Sequence, residues 1–180
     1  MVIWLTGLSG AGKTTLALAL RDLLKPSLPQ VVLVDGDVVR EAFGATMGYT
    51  EPERVVQIQR IQRLAKILSD QDQIVLVAAL YAHPDLLDWN RENLREYVEV
   101  YIEASMELLR KRDQKSLYSM AESGETRHVV GVDIPWHAPG TADLTLDADS
   151  QTSPVEMARL LLEKVPVLKT AFTDAAKVTV

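Results

Sequence analysis

Five short runs of the chain are rich in β-branched and large apolar residues: VIWLT at 2–6, VVLVD at 31–35, IVLVAA at 74–79, VEVYIE at 98–103 and DLTLD at 143–147. Most are continuously apolar rather than alternating, which is how strands read when both faces of a parallel sheet are covered. Between them the period changes. TTLALALRDLL follows the first run, and in EPERVVQIQRIQRLAKIL the residues Val55, Ile58, Ile61, Leu64, Ala65 and Leu68 recur every three or four positions. Thr50 is placed to cap that helix, and Pro52 suits its first turn. Further helical patterns cover 84–95, 105–112 and 153–164. Strands alternating with helices predict βαβ units, hence an α/β fold with a five-stranded parallel sheet and helices on both faces.

Two stretches break the alternation. Residues 114–140 mix basic residues, glycine and proline after a helix ending in Arg110, Lys111 and Arg112. They read as a partly helical lid, with a purely structural excursion as the alternative. The tail at 166–180 fits an extra helix, a dimer contact or a frayed end. A chain of 180 residues is expected to form one domain, here 1–165 with the tail appended.

Composition narrows the chemistry. With 47% hydrophobic and 24% charged residues the chain is in the globular range. A net charge of −6 argues against a general nucleic-acid or anionic-membrane surface, so an anionic ligand needs a local basic site. The absence of cysteine removes disulfides, thiolate catalysis and Cys-type zinc sites. His83, His128 and His137 lack metal-ligand spacing and read as surface or lid residues. The start, MVIWL, has no basic leader and no apolar run approaches the ~20 residues of a membrane span, so a cytoplasmic enzyme is expected.

GLSGAGKT, residues 7–14, fits G-x-x-x-x-G-K-[ST] between a predicted strand and a predicted helix. Glycines there let backbone N–H groups turn inward around a phosphate at the positive end of the helix. Gly7, Ser9, Gly10, Ala11, Gly12, Lys13, Thr14 and Thr15 are the expected ATP site, with Lys13 reaching the β and γ oxygens and Thr14 holding Mg²⁺. The second strand ends in VDGDVVR, at the edge where ligands bind in open α/β sheets. Asp37 is the candidate for taking the proton of an attacking hydroxyl, and Asp35 for orienting Mg²⁺ or its water. A turn-forming, capping Asp-Gly-Asp is the alternative. Arg40 and Arg54 are candidates for gripping substrate phosphate, while Arg60 and Arg63 read as a solvated helix face. Lys111, Arg112, Lys115 and Arg127 could close over a triphosphate, although Lys111 equally suits a helix C-terminus.

GLSGAGKTT, VDGDVVREAF, MGYTEPERVVQIQRIQRLAKIL, RDQKSLYSMAESGE and VVGVDIPWHAP, in that order over roughly residues 1 to 163, resemble adenylylsulfate kinase. The resemblance implies a P-loop NTPase fold of the nucleotide-kinase type, usually dimeric. It also implies transfer of the γ-phosphate of MgATP to the ribose 3′-hydroxyl of adenosine 5′-phosphosulfate. On that basis Asp37 is the catalytic carboxylate and Arg40 and Arg54 are substrate-phosphate ligands. Phe43 is a pocket wall, Lys115 and Leu117 are lid contacts, and Arg112 and Asp113 lie by the ATP base. Departures from the family pattern fall on the acceptor side: Val38 for asparagine, Gln57 for asparagine, Gln59 for arginine, and LYAHPD at 80–85 for F-I-S-P-Y-R. Leu80 and Val129 stand where the family pattern has phenylalanines about the acceptor adenine. Aliphatic walls cannot reproduce aromatic stacking, so adenine is held less tightly or the base differs. Asp85 in place of arginine should disfavour a fully anionic sulfate tail. LYAHPDLLDWNREN and VVGVDIPW look more like the branch that phosphorylates cytidine diphosphoramidate in bacterial capsule modification. Adenylylsulfate is the first acceptor to test and cytidine diphosphoramidate the second. The rivals are a nucleotide-binding protein without turnover and a nucleoside monophosphate kinase.

Overall fold

The protein was analysed as a computed structural model that describes residues 1–44, 47–113, 116–150 and 152–178. β1 (Val2–Thr6) runs through the phosphate loop into α1 (Lys13–Leu24), followed by β2 (Val31–Asp35), α2 (Gly36–Ala42) and α3 (Glu51–Ser69). Next come β3 (Ile74–Ala78), α4 (Pro84–Asn93), β4 (Tyr97–Glu103), α5 (Met106–Lys111) and α6 (Leu117–Glu122). The chain closes with β5 (Leu144–Asp147), α7 (Pro154–Lys164) and α8 (Pro166–Val178). The sheet order is β2-β3-β1-β4-β5 and every pairing is parallel, as the continuous apolar runs predict. All residues of β1 and β3 are buried.

Because all strands point the same way, their carboxyl ends gather at one edge, and β1 lies between β3 and β4 where the winding direction reverses. Ligands bind at such a crevice in open α/β sheets. β1 delivers the phosphate loop there, β2 delivers Asp35, and β3 delivers Leu80.

Helix ends follow local chemistry. Glu53 accepts from the Thr50 N–H at 3.1 Å and its hydroxyl at 2.6 Å, which starts α3 where the sequence places it. VDGDVVR is not a turn. Asp35 accepts from the N–H of Asp37 at 2.9 Å and of Val38 at 3.4 Å, and so caps α2. α4 stops at Asn93, two residues short of expectation, since Leu94 is extended and Glu96 has φ +46°. Of the options for the tail, a helix is observed, anchored by buried Val165 and Leu168.

Gly7 is where the loop leaves the sheet. An added Cβ would lie 2.5 Å from the Ile102 carbonyl oxygen of β4, with φ at +153°. Gly7→Ala is therefore expected to lower the unfolding free energy by about 1–3 kcal/mol. Gly140→Ala, with nothing within 4 Å of the added methyl, should stay within about 0.5 kcal/mol of wild type. Paired urea titrations of the two variants check the difference.

Candidate active site

After β1 the backbone turns through Gly10 at φ +80° and Gly12 at φ +104°, conformations that favour glycine, and α1 begins at Lys13. The Lys13 ammonium donates to the carbonyls of Gly7 and Leu8, each at 2.8 Å, and so closes the loop upon itself. Burial lowers the Lys13 pKa to about 8, against the opposing pull of Asp37 and Asp35. Thr14 donates its hydroxyl to Asp35 Oδ2 at 2.6 Å, which joins the loop to the end of β2.

A cleft of about 490 Å³ opens over these groups. Ser9 through Thr15 line it, together with Asp35, Asp37, Leu80, Arg112 and Leu117. Nucleotide-sized cavities fall in this range. Gly7 lies beneath the cleft, packed on β4, rather than in its wall. Arg112 approaches Gly12 and reaches the Ala148 carbonyl at 3.4 Å. Two basic side chains, Lys13 and Arg112, thus stand with the phosphate loop and the carboxylates of Asp35, Asp37 and Asp113 around one cleft, an arrangement suited to orienting a polyanion beside a proton acceptor.

The two acceptor-side arginines come together around a ring that the sequence reading did not single out. Arg40 Cζ lies 4.5 Å and Arg54 Cζ 5.5 Å from the Tyr49 ring centroid. Arg40 donates to the carbonyls of Met47 at 3.1 Å and Gly48 at 2.9 Å. Arg54 donates to those of Tyr49 at 2.9 Å and His128 at 2.6 Å. Burial and the neighbouring Arg40 guanidinium both lower the Arg54 pKa. Gln57 is buried on the same helix and donates to the Gly36 carbonyl at 3.0 Å, while its Oε1 has no partner among the described residues.

Several acceptor-side expectations change. Phe43 is exposed beneath Arg60, 5.6 Å from it, and is not part of the cleft wall. Val129 is buried and is not among the residues that line the cleft, with its N–H held by Asp133 at 2.5 Å. Asp85 is exposed at the start of α4, 3.7 Å from His83, and lines a separate cavity with Tyr81 and Trp89. It therefore does not face the phosphate-loop cleft. Lys115 lies outside the described residues. Leu80 lines the cleft, whereas Tyr49, an exposed ring beside the two arginines, is not among the residues that line it. MGYTEPER places Tyr49 between Arg40 and Arg54 in sequence, a signal that is visible but weak without the fold. Tyr118, buried at the cleft wall, has no role assigned from the sequence, and His128, expected as a surface or lid residue, supplies the carbonyl that Arg54 reaches.

The family model for adenylylsulphate kinase matches residues 1–147. The chain belongs to the adenylylsulphate kinase family. It is 38% identical over 164 residues to cytidine diphosphoramidate kinase of Campylobacter jejuni, covering 91% of this chain and 95% of that enzyme. It is 36% identical to adenylyl-sulfate kinase of Paraburkholderia xenovorans, covering 91% and 92%. The solved APS kinase of Mycobacterium tuberculosis in complex with AMPPNP and APS superposes with a TM-score of 0.83 at 28% identity, covering 92% of this chain and 96% of that one. Family membership makes this chain an ATP-dependent kinase. Among the described residues no helix is long and apolar enough to cross a membrane.

In the free protein Lys13 loses its charge as pH rises through about 8, whereas a bound phosphate favours the charged form. MgADP affinity is thus expected to be flat near pH 7 and to weaken by up to about tenfold per pH unit well above pH 8. Calorimetric titration across this range checks it, with Lys13→Met expected to bind weakly and to show no such step.

Proposed function

We propose that this kinase transfers the γ-phosphate of MgATP to the ribose 3′-hydroxyl of a 5′-modified nucleotide, with adenylylsulfate as acceptor. The observation that carries the reading is the cleft that the phosphate loop, Lys13 and the Asp35–Asp37 pair line together; Arg40 and Arg54 lie outside its lining, gathered at Tyr49. The loop N–H groups and Lys13 hold the β and γ phosphates, and Arg112 borders the nucleoside end. Asp37 accepts the proton of the acceptor hydroxyl as its oxygen bonds to the γ-phosphorus, and the bond to the bridging oxygen breaks to release ADP. Phosphoryl transfer of this kind depends on positioning and charge neutralisation more than on covalent help.

Mg²⁺ would be held by the Thr14 hydroxyl and Asp35, two hard oxygen donors already 2.6 Å apart, and would neutralise charge on the triphosphate. Among the described residues there is no cluster of three metal-ligating side chains, which suits an ion that takes most of its ligands from phosphate and water.

Arg40 and Arg54 grip the acceptor's 5′ phosphate, with Gln57, Leu80 and Leu117 shaping its pocket. Lys115 is assigned to the same role by resemblance. A cytoplasmic homodimer fits this reading, since the family pattern is dimeric and ATP is available there. A second reading, cytidine diphosphoramidate as acceptor, is consistent with the identity to the Campylobacter enzyme over nearly its full length and with Leu80 in place of an aromatic wall.

Supplying ATP with adenylylsulfate, cytidine diphosphoramidate, AMP or CMP, and locating the new phosphate by ³¹P NMR, separates these readings. We expect 3′-phosphorylation of one of the two 5′-modified nucleotides and none of AMP or CMP at the 5′ phosphate. Asp37→Asn should cut turnover by about 10²–10⁴-fold while leaving MgADP affinity near wild type. No acceptor-dependent ADP release from the wild type with any 3′-hydroxyl nucleotide would refute the kinase reading of this cleft.

A further inference from the structure

The hydroxyl of Tyr118 donates to the carbonyl of Ser9, within the phosphate loop, at 2.9 Å. The contact bridges 109 positions of sequence, and Tyr118 is only 1% exposed. Its helix is firmly set. The Asp113 carboxylate accepts from the N–H groups of Leu117 at 2.7 Å, Tyr118 at 3.0 Å and Ser119 at 3.1 Å, and so fixes the start of α6. Leu109 of α5 packs 3.6 Å from where a Cβ on Gly10 would stand. The α5–α6 corner therefore meets the loop at both Ser9 and Gly10.

The carbonyl and the N–H of one planar trans peptide point in opposite directions. Holding the Ser9 carbonyl thus sets the direction of the Gly10 N–H. Gly10 has no side chain to restrain it and sits at φ +80°, in a turn closed by the Ala11 N–H on the Leu8 carbonyl at 3.2 Å, so a contact from outside the loop on the Ser9 carbonyl adds a restraint on that peptide. Tyr118 is placed to do so, and its neighbour Leu117 lines the same cleft.

We propose that Tyr118 is a positioning residue for phosphoryl transfer: its hydroxyl, held in place by α6, presets the Ser9–Gly10 peptide for the triphosphate. The proposal rests on the reading that the loop binds ATP phosphates. A donor group preset in this way costs no reorganisation when the nucleotide arrives.

Tyr118→Phe removes the hydroxyl and keeps the ring. Calorimetry should show MgADP affinity reduced by about five- to tenfold, the effect of one buried hydrogen bond. The KM for ATP should rise by a similar factor, and the KM for the acceptor should stay within about twofold. Tyr118→Leu, which also loses ring packing, should lower the melting temperature further with no greater loss of MgADP affinity than the Phe variant. Wild-type MgADP affinity and KM for ATP in Tyr118→Phe, with only a lower melting temperature, would overturn the proposal and leave Tyr118 a packing residue. A greater loss of MgADP affinity in Tyr118→Leu than in Tyr118→Phe would likewise overturn it, by assigning the effect to packing. Failure of the wild type itself to bind MgADP would instead overturn the functional reading on which the proposal rests.

Discussion

The hydrogen bond from the Thr14 hydroxyl to Asp35 at 2.6 Å joins two parts of the cleft that the sheet holds apart. β1 and β2 are not neighbours, because β3 lies between them. The bond therefore spans the end of β3 and ties the first turn of α1 to the N-cap of α2. The other oxygen of Asp35 caps α2. One carboxylate thereby starts the helix that carries Asp37 and Arg40 and also faces the phosphate loop. The residues read as donor chemistry and those read as acceptor chemistry meet at this side chain.

Around that junction the site is held largely by backbone rather than by side-chain pairs. Lys13 satisfies two loop carbonyls, Arg40 and Arg54 satisfy four carbonyls between them, and Tyr118 satisfies Ser9. These cationic and hydroxyl donors are already directed by carbonyl partners, so an incoming anion meets oriented charge. His128, at φ +65°, holds an unfavourable backbone conformation while its carbonyl accepts from Arg54 and its N–H is bound by Asp133. Strain of this kind persists where surrounding contacts over-determine it, and it lies next to the proposed acceptor arginines.

Much of the fold was legible from periodicity, because burial on both faces of a parallel sheet leaves an unbroken apolar signature that few other structures produce. The strand positions in the sequence and in the sheet agree to within a residue or two. α2 was not legible: a seven-residue helix opening Gly-Asp has turn composition, and only the Asp35 cap converts it. The loop residues were legible because one contiguous motif carries them. The acceptor side was not, because its members come from α2, α3 and the segment near His128, and their facing directions are properties of packing. Asp85 illustrates the difference, since its position in the chain places it near the acceptor while the start of α4 turns it to another cavity.

Sequence alone determined the parallel α/β architecture, the phosphate loop and the identity of its lysine and threonine, since these depend on short-range pattern and on chemistry confined to a few adjacent residues. Tertiary structure decided which distant groups meet: the Tyr49 ring with two arginines, the burial of Val129, the placement of Asp85 on a separate cavity and the hydroxyl of Tyr118 on Ser9. Those contacts depend on the sheet order and on helix rotation, which bring together residues up to 109 positions apart and which no local pattern records.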